Sequence, residues 1–366
     1  MTMTHTADIS RVNSPSIYNS VNSYHINFLL VLSILSLAFP AMSCGCTPSS
    51  QLTLKDEGDH MASILHLKSP DNTNSGECHG MKSLDVFTFR TDGPKHLDSY
   101  QRFDNLDDYK VRIASGSGKR HLFVCANGQW HRKEWTIVNS IEALDGFKAD
   151  LEYEKRLFPL MTGEVSSNDE NEISVFLKML ASEIHIHSLK CDFSDKGYSG
   201  CNISDVKIYL INVNASCGIT SEGIIMPERI INSGRLDQYD IDKFEEPDLI
   251  SARLTEDISS ETIYPEICLR CFPNSSYEES LGSPFTKLVI EGKIKGETYY
   301  WPIAVGRQEK TNEKSNGIFR NSIYSYDIII TGKGSKDPDI CIDMKSIKIN
   351  VETKPWNEKD AYSIAY

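Results

Sequence analysis

The sequence predicts a mainly β protein made of two tandem β-sandwich domains with one or two short helices, preceded by a signal peptide. Three observations support this fold class. The chain has 366 residues, more than one compact core of ordinary size accommodates. Apolar and polar residues alternate along many short segments. Turn residues separate these segments at short intervals, a spacing typical of sheets stacked in layers.

The composition excludes some classes of function. The formal net charge is −13 and the isoelectric point is near 5.3, whereas nucleic-acid binding needs clustered lysine and arginine. We therefore expect no nucleic-acid partner. The ten cysteines are too few for a disulfide scaffold in a chain of this length, and their spacing does not match that of a zinc finger.

The first 43 residues are predicted to be a signal peptide. An apolar run at 28–42 has the length of a signal-peptide core and is too short to span a bilayer comfortably. Ala41 and Ser43 precede Cys44 as in a lipobox, where the cysteine becomes the acylated first residue of a lipoprotein. Two acyl chains hold a protein stably on a membrane. The alternative is simple secretion, with Cys44 removed or unmodified.

We divide the remaining chain into three parts. Residues 44–77 are a polar tether interrupted by a short apolar segment at 63–67, which could be a removable strand. Residues 78–217 are predicted to form the first sandwich, and residues 218–366 the second sandwich with its tail. Within the first sandwich, Ser140 is predicted to cap a helix over 141–155, because apolar residues recur there at helical spacing.

The segment 183–213 has the clearest strand pattern. Both of its ends alternate with period two, and a cluster of Gly, Ser, Asn and Asp lies between them. The apolar positions shift phase from Ile184 and Ile186 to Leu189 and Cys191, as a β-bulge would shift them. We predict two long antiparallel strands. In the second half, a hairpin is predicted from 287–294 and 298–305.

Several segments together resemble the fimbrillin-type pilus subunits of Bacteroidetes. In the first half these are 82–89 (KSLDVFTF), 97–103 (LDSYQRF), 159–164 (PLMTGE) and 205–214 (DVKIYLINVN). In the second half they are 288–292 (LVIEG), 299–303 (YYWPI), 317–318, 320–321, Tyr324, Ile328, Ile330, Gly332 and Gly334. The similarity covers roughly residues 78–356, and the order of the segments is its specific part.

The resemblance implies two transthyretin-like sandwiches, export as a lipoprotein, and assembly into surface fimbriae. In that family a trypsin-like or arginine-specific protease removes an N-terminal strand, and the groove so opened accepts a strand from the neighbouring subunit. The implied partners are other fimbrial subunits, the outer membrane through a lipid anchor, and a ligand on a host or bacterial surface. Strand addition of this kind relieves unpaired backbone groups beside apolar surface.

Two sets of residues are candidates for this mechanism. Lys68 follows the segment 63–67 in a polar loop and is the candidate processing site, with Arg90 as its rival; the alternative is that Lys68 is an ordinary exposed lysine. Ile347, Ile349 and Val351 share one face of a strand and are the candidate donor. The alternative is that they belong to the last strand of their own domain.

The sequence gives only weak support for a metal site, a redox pair or a disulfide. His185 and His187 point to one face of a strand, but the sequence names no further metal ligand nearby, and we expect solvated histidines and no metal. Cys268 and Cys271 form a CxxC without the helix that a redox pair uses, so they are predicted to be buried small residues. Cys191 and Cys201 flank a turn and could form a disulfide.

We find no catalytic motif and expect no cofactor. The glycine-rich segment 115–120 lacks the spacing of a phosphate loop and precedes a strand, which favours a hairpin loop. The sequence therefore predicts a structural or adhesive subunit of surface fimbriae that is not an enzyme. One alternative is a non-polymerising outer-membrane lipoprotein that binds glycan or protein ligands. The other is an exported hydrolase, which would need a pair of carboxylates in a cleft.

Overall fold

The computed structural model describes residues 61–68, 80–93, 95–106, 108–307, 316–342, 344–356 and 362–365. The predicted signal peptide, Cys44 and most of the tether lie outside the described residues. Among the residues described, no helix has the length and apolar character needed to span a membrane.

The first half of the described chain contains nine strands. They are β1 (Met61–Lys68), β2 (Ser83–Arg90), β3 (Leu97–Asp104), β4 (Lys110–Ser115), β5 (Lys119–Ala126), β6 (Lys148–Asp150), β7 (Met161–Asn168), β8 (Glu172–Phe176) and β9 (Lys178–Met179). Short 3₁₀ helices lie between β5 and β7, at Glu134–Ile137, Ile141–Gly146 and Leu151–Tyr153.

The second half contributes twelve more strands. They are β10 (Ser182–Cys191), β11 (Ser204–Ile211), β12 (Val213–Asn214), β13 (Ser216–Gly218), β14 (Ile230–Ile231), β15 (Ser251–Arg253), β16 (Ile267–Cys271), β17 (Lys287–Ile294), β18 (Glu297–Ala304), β19 (Ser322–Ile330), β20 (Ile347–Pro355) and β21 (Tyr362–Ala365). The helical segments here are one turn, α1 (Gln238–Ile241), and 3₁₀ helices at Pro247–Leu249 and Met344–Ser346. The predicted mainly β fold class is confirmed.

Two sheets pack over the first core. One has three strands in the order β4-β1-β8, and the other has five in the order β3-β2-β5-β7-β9. Their facing apolar side chains form one buried cluster that includes Leu65, Val86, Ile113, Val124 and Ile173. Because each strand alternates its side chains between the faces of its sheet, one face of each sheet lines this core. The other face of β2 and β5, with Phe87 and Phe123, belongs to the second buried cluster.

Two further sheets enclose the second core. The first has the order β16-β10-β19-β20-β21 and the second β15-β11-β17-β18. Buried residues of both sheets, such as Ile184, Ile208, Leu269, Ile290 and Tyr326, belong to one cluster. The predicted hairpin of β17 and β18 is confirmed, and its turn residues Lys295 and Gly296 both have positive φ, at 53° and 83°.

The predicted pairing of the two strands in 183–213 is wrong, although both strands exist. β10 pairs with β16 and β19, whereas β11 pairs with β15 and β17, so the two strands lie in different sheets of the same sandwich. Their alternation showed that each has one dry face, and both dry faces are in the second core. The predicted bulge is confirmed by a register shift between Ile186 and Ser188.

The predicted helix over 141–155 is also wrong. The helical hydrogen bonds end at Gly146, and the chain then extends into β6, which pairs with β13. Leu144, Phe147 and Leu151 are buried as the periodicity predicted, but Ser140 makes no side-chain cap. Strand pairing with a distant segment outweighs the weak local helix propensity.

Sheet membership changes before the predicted domain boundary. β9 ends the first sandwich at Met179, and β10 begins the second at Ser182, whereas the boundary was placed at 217/218. The predicted division into domains stays a prediction. Arg320 joins the two regions, because its guanidinium donates to Thr162 Oγ1 at 2.8 Å and to the carbonyls of Lys178 and Ser221.

Candidate functional site

Strand β1 fills the centre of the three-stranded sheet. It is antiparallel to β4, with Leu65 opposite Val111, and parallel to β8, with Leu65 opposite Ile173. Among the described residues, β4 and β8 have no other strand between them in this sheet. We call the space that β1 occupies between them the β1 slot. Removing β1 would leave the facing edges of both neighbours unpaired.

The side chains of β1 divide cleanly between core and solvent. Ser63, Leu65 and Leu67 are buried at 1%, 0% and 2% exposure, whereas Ile64 on the opposite face is 40% exposed. Full burial of a leucine contributes about 1.5–3 kcal/mol. The two leucines therefore hold the strand in its slot by several kcal/mol before conformational entropy is counted.

Hydrogen bonds near the ends of β1 also hold the strand in its slot. The backbone N–H of Ile64 donates to the carbonyl of Asn171 and that of Leu67 to the carbonyl of Tyr109, each at 2.8 Å. The hydroxyl of Ser63 donates to the carbonyl of Glu170 at 2.8 Å. Because the buried hydroxyl of Ser63 has its own partner in a tightly packed position, a replacement strand needs a small polar or apolar residue there.

Lys68, the candidate processing site, is the last residue of β1 and is exposed. Its ammonium lies 4.7 Å from the ring centroid of Phe176, and its carbonyl accepts from Leu177 N–H at 2.9 Å. The rival, Arg90, ends β2, an interior strand between β3 and β5, and forms an ion pair with Asp98 at 3.1 Å. Of the two, Lys68 is the one whose cleavage separates a single strand from the sandwich.

The candidate donor residues lie inside their own sheet. Ile347, Ile349 and Val351 are buried on one face of β20, as the sequence predicted. This strand pairs with β19 over its whole length and with β21 on the other side, which is the alternative that the sequence left open. The strand at the edge is β21, with Val351 opposite Ile364.

The cysteine candidates are free thiols in the structure. Cys191 and Cys201 do not form a disulfide, and the thiol of Cys191 donates instead to the carbonyl of Ile258 at 3.4 Å. Burial raises the pKa of Cys191 to about 11. Cys271 lies in the second core and Cys268 is half-buried, also as free thiols.

A buried charge cluster escaped the sequence analysis. Arg270 on β16, 3% exposed, donates to Glu183 Oε1 at 2.7 Å and lies 3.4 Å from Glu154 Oε1. Burial raises the pKa of Glu154 to about 7. Although burial opposes ionisation of Glu183 too, hydrogen bonds from His185 and the charge of Arg270 lower its pKa. The alternating pattern of β10 placed Glu183 on the solvent-facing side of the strand. The pattern does not reveal that Arg270, which is distant in sequence, pairs with Glu183 and buries it.

The two histidines of β10 have different surroundings. His185 Nε2 lies 2.6 Å from Glu183 Oε2, beside the buried charge cluster. His187 is exposed, and its Nδ1 lies 2.8 Å from Asp327 Oδ1. They do not converge on one position, as a shared metal would require.

One apolar cavity opens in the second sandwich. Its volume is about 390 Å³, and its lining includes Tyr277, Phe285, Tyr326, Ile349 and the cationic Arg307. The guanidinium of Arg307 lies 3.9 Å from the ring of Phe285, and burial lowers its pKa to about 10. A cavity of this size and composition suits a small ligand.

Comparison with solved structures shows that this fold is similar to those of cell adhesion and fimbrial proteins from Bacteroidales. A candidate cell adhesion protein from Bacteroides eggerthii aligns with a TM-score of 0.60 and 15% identity, over 82% of this chain and 97% of its own. A fimbrilin (FimA) from Porphyromonas gingivalis aligns with a TM-score of 0.57 and 14% identity, over 81% and 97%. The tip fimbrial protein Mfa3 from the same organism aligns with a TM-score of 0.50 and 10% identity, over 81% and 100%.

No protein-family model and no curated protein matches this sequence. The predicted resemblance to the fimbrillin type is confirmed at the level of the fold, because these structures cover most of the chain. At such low sequence identity the similarity shows the fold alone.

Proposed function

We propose that this chain is a structural or adhesive subunit of surface fimbriae that joins to its neighbour by strand exchange. The observation that carries the proposal is the position of β1. It is the first described strand, it fills the centre of a sheet, and it ends at the exposed Lys68. Cleavage after Lys68 would turn an intramolecular strand into a separate peptide held by non-covalent contacts.

The exchange step follows from the chemistry of the slot. A separated β1 is no longer held at high effective concentration, so it dissociates more readily than the covalently linked strand. The slot then presents unpaired N–H and C=O groups of β4 and β8 beside an apolar core. A strand from another subunit restores both the backbone hydrogen bonds and the buried area.

The donor that we favour is the C-terminal edge strand. Removing β20 would split a sheet between β19 and β21, whereas β21 loses only its pairing with β20 on departure. In the sequence, Tyr362, Ile364 and Tyr366 alternate with smaller residues, a pattern that suits one buried face. The interior strand with Ile347, Ile349 and Val351 would keep its place in its own sandwich.

Proteolysis in vitro tests the proposal. We would treat the purified exported chain with a lysine- and arginine-specific protease and follow oligomers on gels run under mild denaturation. We expect cleavage after Lys68, release of the β1 peptide, and a ladder of oligomers. The variant Lys68→Gln should remain uncut at this position and monomeric.

A matched control is Lys82→Gln. Lys82 is also exposed and lies just before β2, so its substitution should leave cleavage and the ladder unchanged. Wild-type protein that is cut after Lys68 and stays monomeric would argue against strand exchange. Ladders from uncut Lys68→Gln protein would overturn the role of this cleavage.

Export as a lipoprotein and location at the outer membrane are part of the same proposal. Mass spectrometry of the protein extracted from cell surfaces would identify its mature N-terminus. An N-terminus at Ser69 supports trimming and exchange after earlier acylation of Cys44. Acylated Cys44 with no trimmed form would favour a tethered, non-polymerising subunit.

The second candidate function is ligand binding by a non-polymerising lipoprotein. The cavity of about 390 Å³ in the second sandwich favours it, because aromatic walls and one arginine suit an apolar ligand with an anionic group. Such a protein would stay monomeric after proteolysis and would lose ligand binding on substitution of Arg307. We propose no catalytic role for either form.

A further inference from the structure

Three side chains of different chemistry converge on the outer face of β10 and β16. His185 lies directly opposite Cys268 in the antiparallel pair of strands, and Glu183 lies two residues before His185 on the same face. One ligand atom from each, the Glu183 carboxylate, the His185 ring nitrogen and the Cys268 thiol, lies within 4.8 Å of the other two.

The neighbouring arginine binds only one oxygen of Glu183. Arg270 donates to Oε1 through both Nε and Nη2, at 2.9 and 2.7 Å. The other oxygen, Oε2, faces His185 Nε2 at 2.6 Å. Arg270 therefore fixes the orientation of the carboxylate from behind, as outer partners of metal ligands do.

Arg270 has further partners besides Glu183. The carboxylate of Glu154 lies 3.4 Å from the guanidinium on its other side, and the carbonyls of Lys155 and Arg156 accept from it at 2.8 and 3.2 Å. A divalent cation in front of Glu183 would face two anionic ligands, the carboxylate and a thiolate.

We propose that Glu183, His185 and Cys268 bind one Zn²⁺ ion. A carboxylate, an imidazole and a thiolate together suit zinc and not Ca²⁺ or Mg²⁺, which take oxygen ligands. Three protein ligands leave the fourth position of a tetrahedral ion open. His185 and Cys268 both line a surface cavity of about 380 Å³, which gives an ion held by them access from solvent.

Bound zinc would connect β16, at the edge of its sheet, to the interior strand β10. The connection lies outside the β1 slot, so this proposal does not depend on strand exchange. Its consequence is a metal-dependent increase in the thermal stability of the second sandwich, because a ligand that binds only the folded state shifts unfolding to higher temperature.

Cobalt substitution tests the site, since Co²⁺ bound by a thiolate has a charge-transfer absorption that zinc lacks. We would titrate metal-free full-length protein with Co²⁺ and then displace it with Zn²⁺. We expect a thiolate-to-cobalt band that saturates at one equivalent and disappears with Zn²⁺. Cys268→Ser should abolish the band, and His185→Asn should weaken Co²⁺ binding by at least about tenfold.

The matched control is Cys201→Ser, which removes another partly exposed thiol and should keep the band. Circular dichroism and the metal-free unfolding midpoint of each variant would separate loss of a ligand from loss of the fold. His185 is partly exposed, so we expect His185→Asn to fold. This variant therefore tests the site even where Cys268→Ser misfolds. Absence of the band in wild-type protein, or its persistence in folded Cys268→Ser, would overturn the proposal.

Discussion

The side chain of Asn321 accepts a hydrogen bond of 2.9 Å from the backbone N–H of Met179. This contact joins β9, the last strand of the first sandwich, to the turn before β19 in the second. Asn321 also has a positive φ of 58°, a conformation that asparagine tolerates better than most residues. One residue therefore satisfies a buried donor of one sandwich and shapes a turn of the other.

We predict that Asn321→Ala lowers the free energy of unfolding by about 2–4 kcal/mol. The loss combines a buried N–H left without its acceptor, about 1–3 kcal/mol, with the cost of alanine at positive φ, about 1 kcal/mol. Urea denaturation measures the change. The control Asn105→Ala has a similar φ of 57° at an exposed position, so it should show only the conformational part. Equal losses in both variants would contradict the role of the hydrogen bond.

The inward residues of β1 should be far more sensitive than the outward ones. Leu65→Ala removes a fully buried side chain, and we expect a loss of about 2–5 kcal/mol in uncut protein. Ile64→Ala, one residue earlier on the exposed face, should change stability by less than about 0.5 kcal/mol. Thermal unfolding of the two variants compares them directly. Similar losses of stability in the two variants would mean that the buried leucines do not hold β1 in its slot.

Gly163 lets β7 approach the end of β8 closely. A Cβ atom at this position would lie 2.3 Å from the carbonyl oxygen of Phe176, which is backbone and has little freedom to move. Gly163→Ala should therefore lower the free energy of unfolding by more than about 2 kcal/mol, through overpacking. Gly146→Ala meets no atom within 4 Å and serves as the control. Chemical denaturation compares the two variants, and equal denaturation midpoints would contradict the prediction.

Stability should fall as pH rises through the range in which Glu154 ionises. Burial raises its pKa from 4.5 to about 7, so between these values the folded state keeps a proton that the unfolded state releases. From pH 5 to pH 8 the wild type should therefore lose about 2–3 kcal/mol more than Glu154→Gln. The measurement is the free energy of unfolding at each pH. The exposed Glu170→Gln is the matched control, and an identical pH profile for wild type and Glu154→Gln would refute the prediction.

Truncation after Trp356 should separate folding from assembly. Of the strands that the structure describes, the shortened chain lacks β21 alone, an edge strand, so its unfolding midpoint should stay close to that of the full chain. After proteolysis it should form no ladder, because it has lost the donor that we favour. As a control, residues 357–361 are replaced by glycine and serine at equal length, which retains β21 and should retain the ladder. A ladder from the truncated chain would assign the donor role to another strand.

The sequence predicted individual strands better than their partners. Alternation in β10 and β11 correctly showed that each strand has one face in a core, because the period-two pattern reports burial. It does not report which strand lies alongside, so β10 and β11 were paired wrongly. Only the β17–β18 hairpin, where a two-residue turn sets the pairing, was predicted with its partner.

For the candidate site residues, too, the sequence predicted local features better than long-range pairing. The apolar segment 63–67 indicated a strand and placed Lys68 in the loop after it, whereas Lys68 is the last residue of β1. The shared face of Ile347, Ile349 and Val351 followed from alternation. The interior position of that strand and the convergence of Glu183 with Cys268 depend on long-range pairing. A single sequence carries no local signal for either, because the partners lie far apart along the chain.

The mixed pairing of β1 gives any joint made at its slot a direction. A replacement strand reproduces both ladders only when it runs the same way as β1, antiparallel to β4 and parallel to β8. Subunits that each pass one strand to the next would be related head to tail, a contact that gives an open filament when the rotation between subunits does not close. One end of such a polymer would carry an empty acceptor and the other an unused donor, which makes its two ends chemically distinct targets for a terminating subunit.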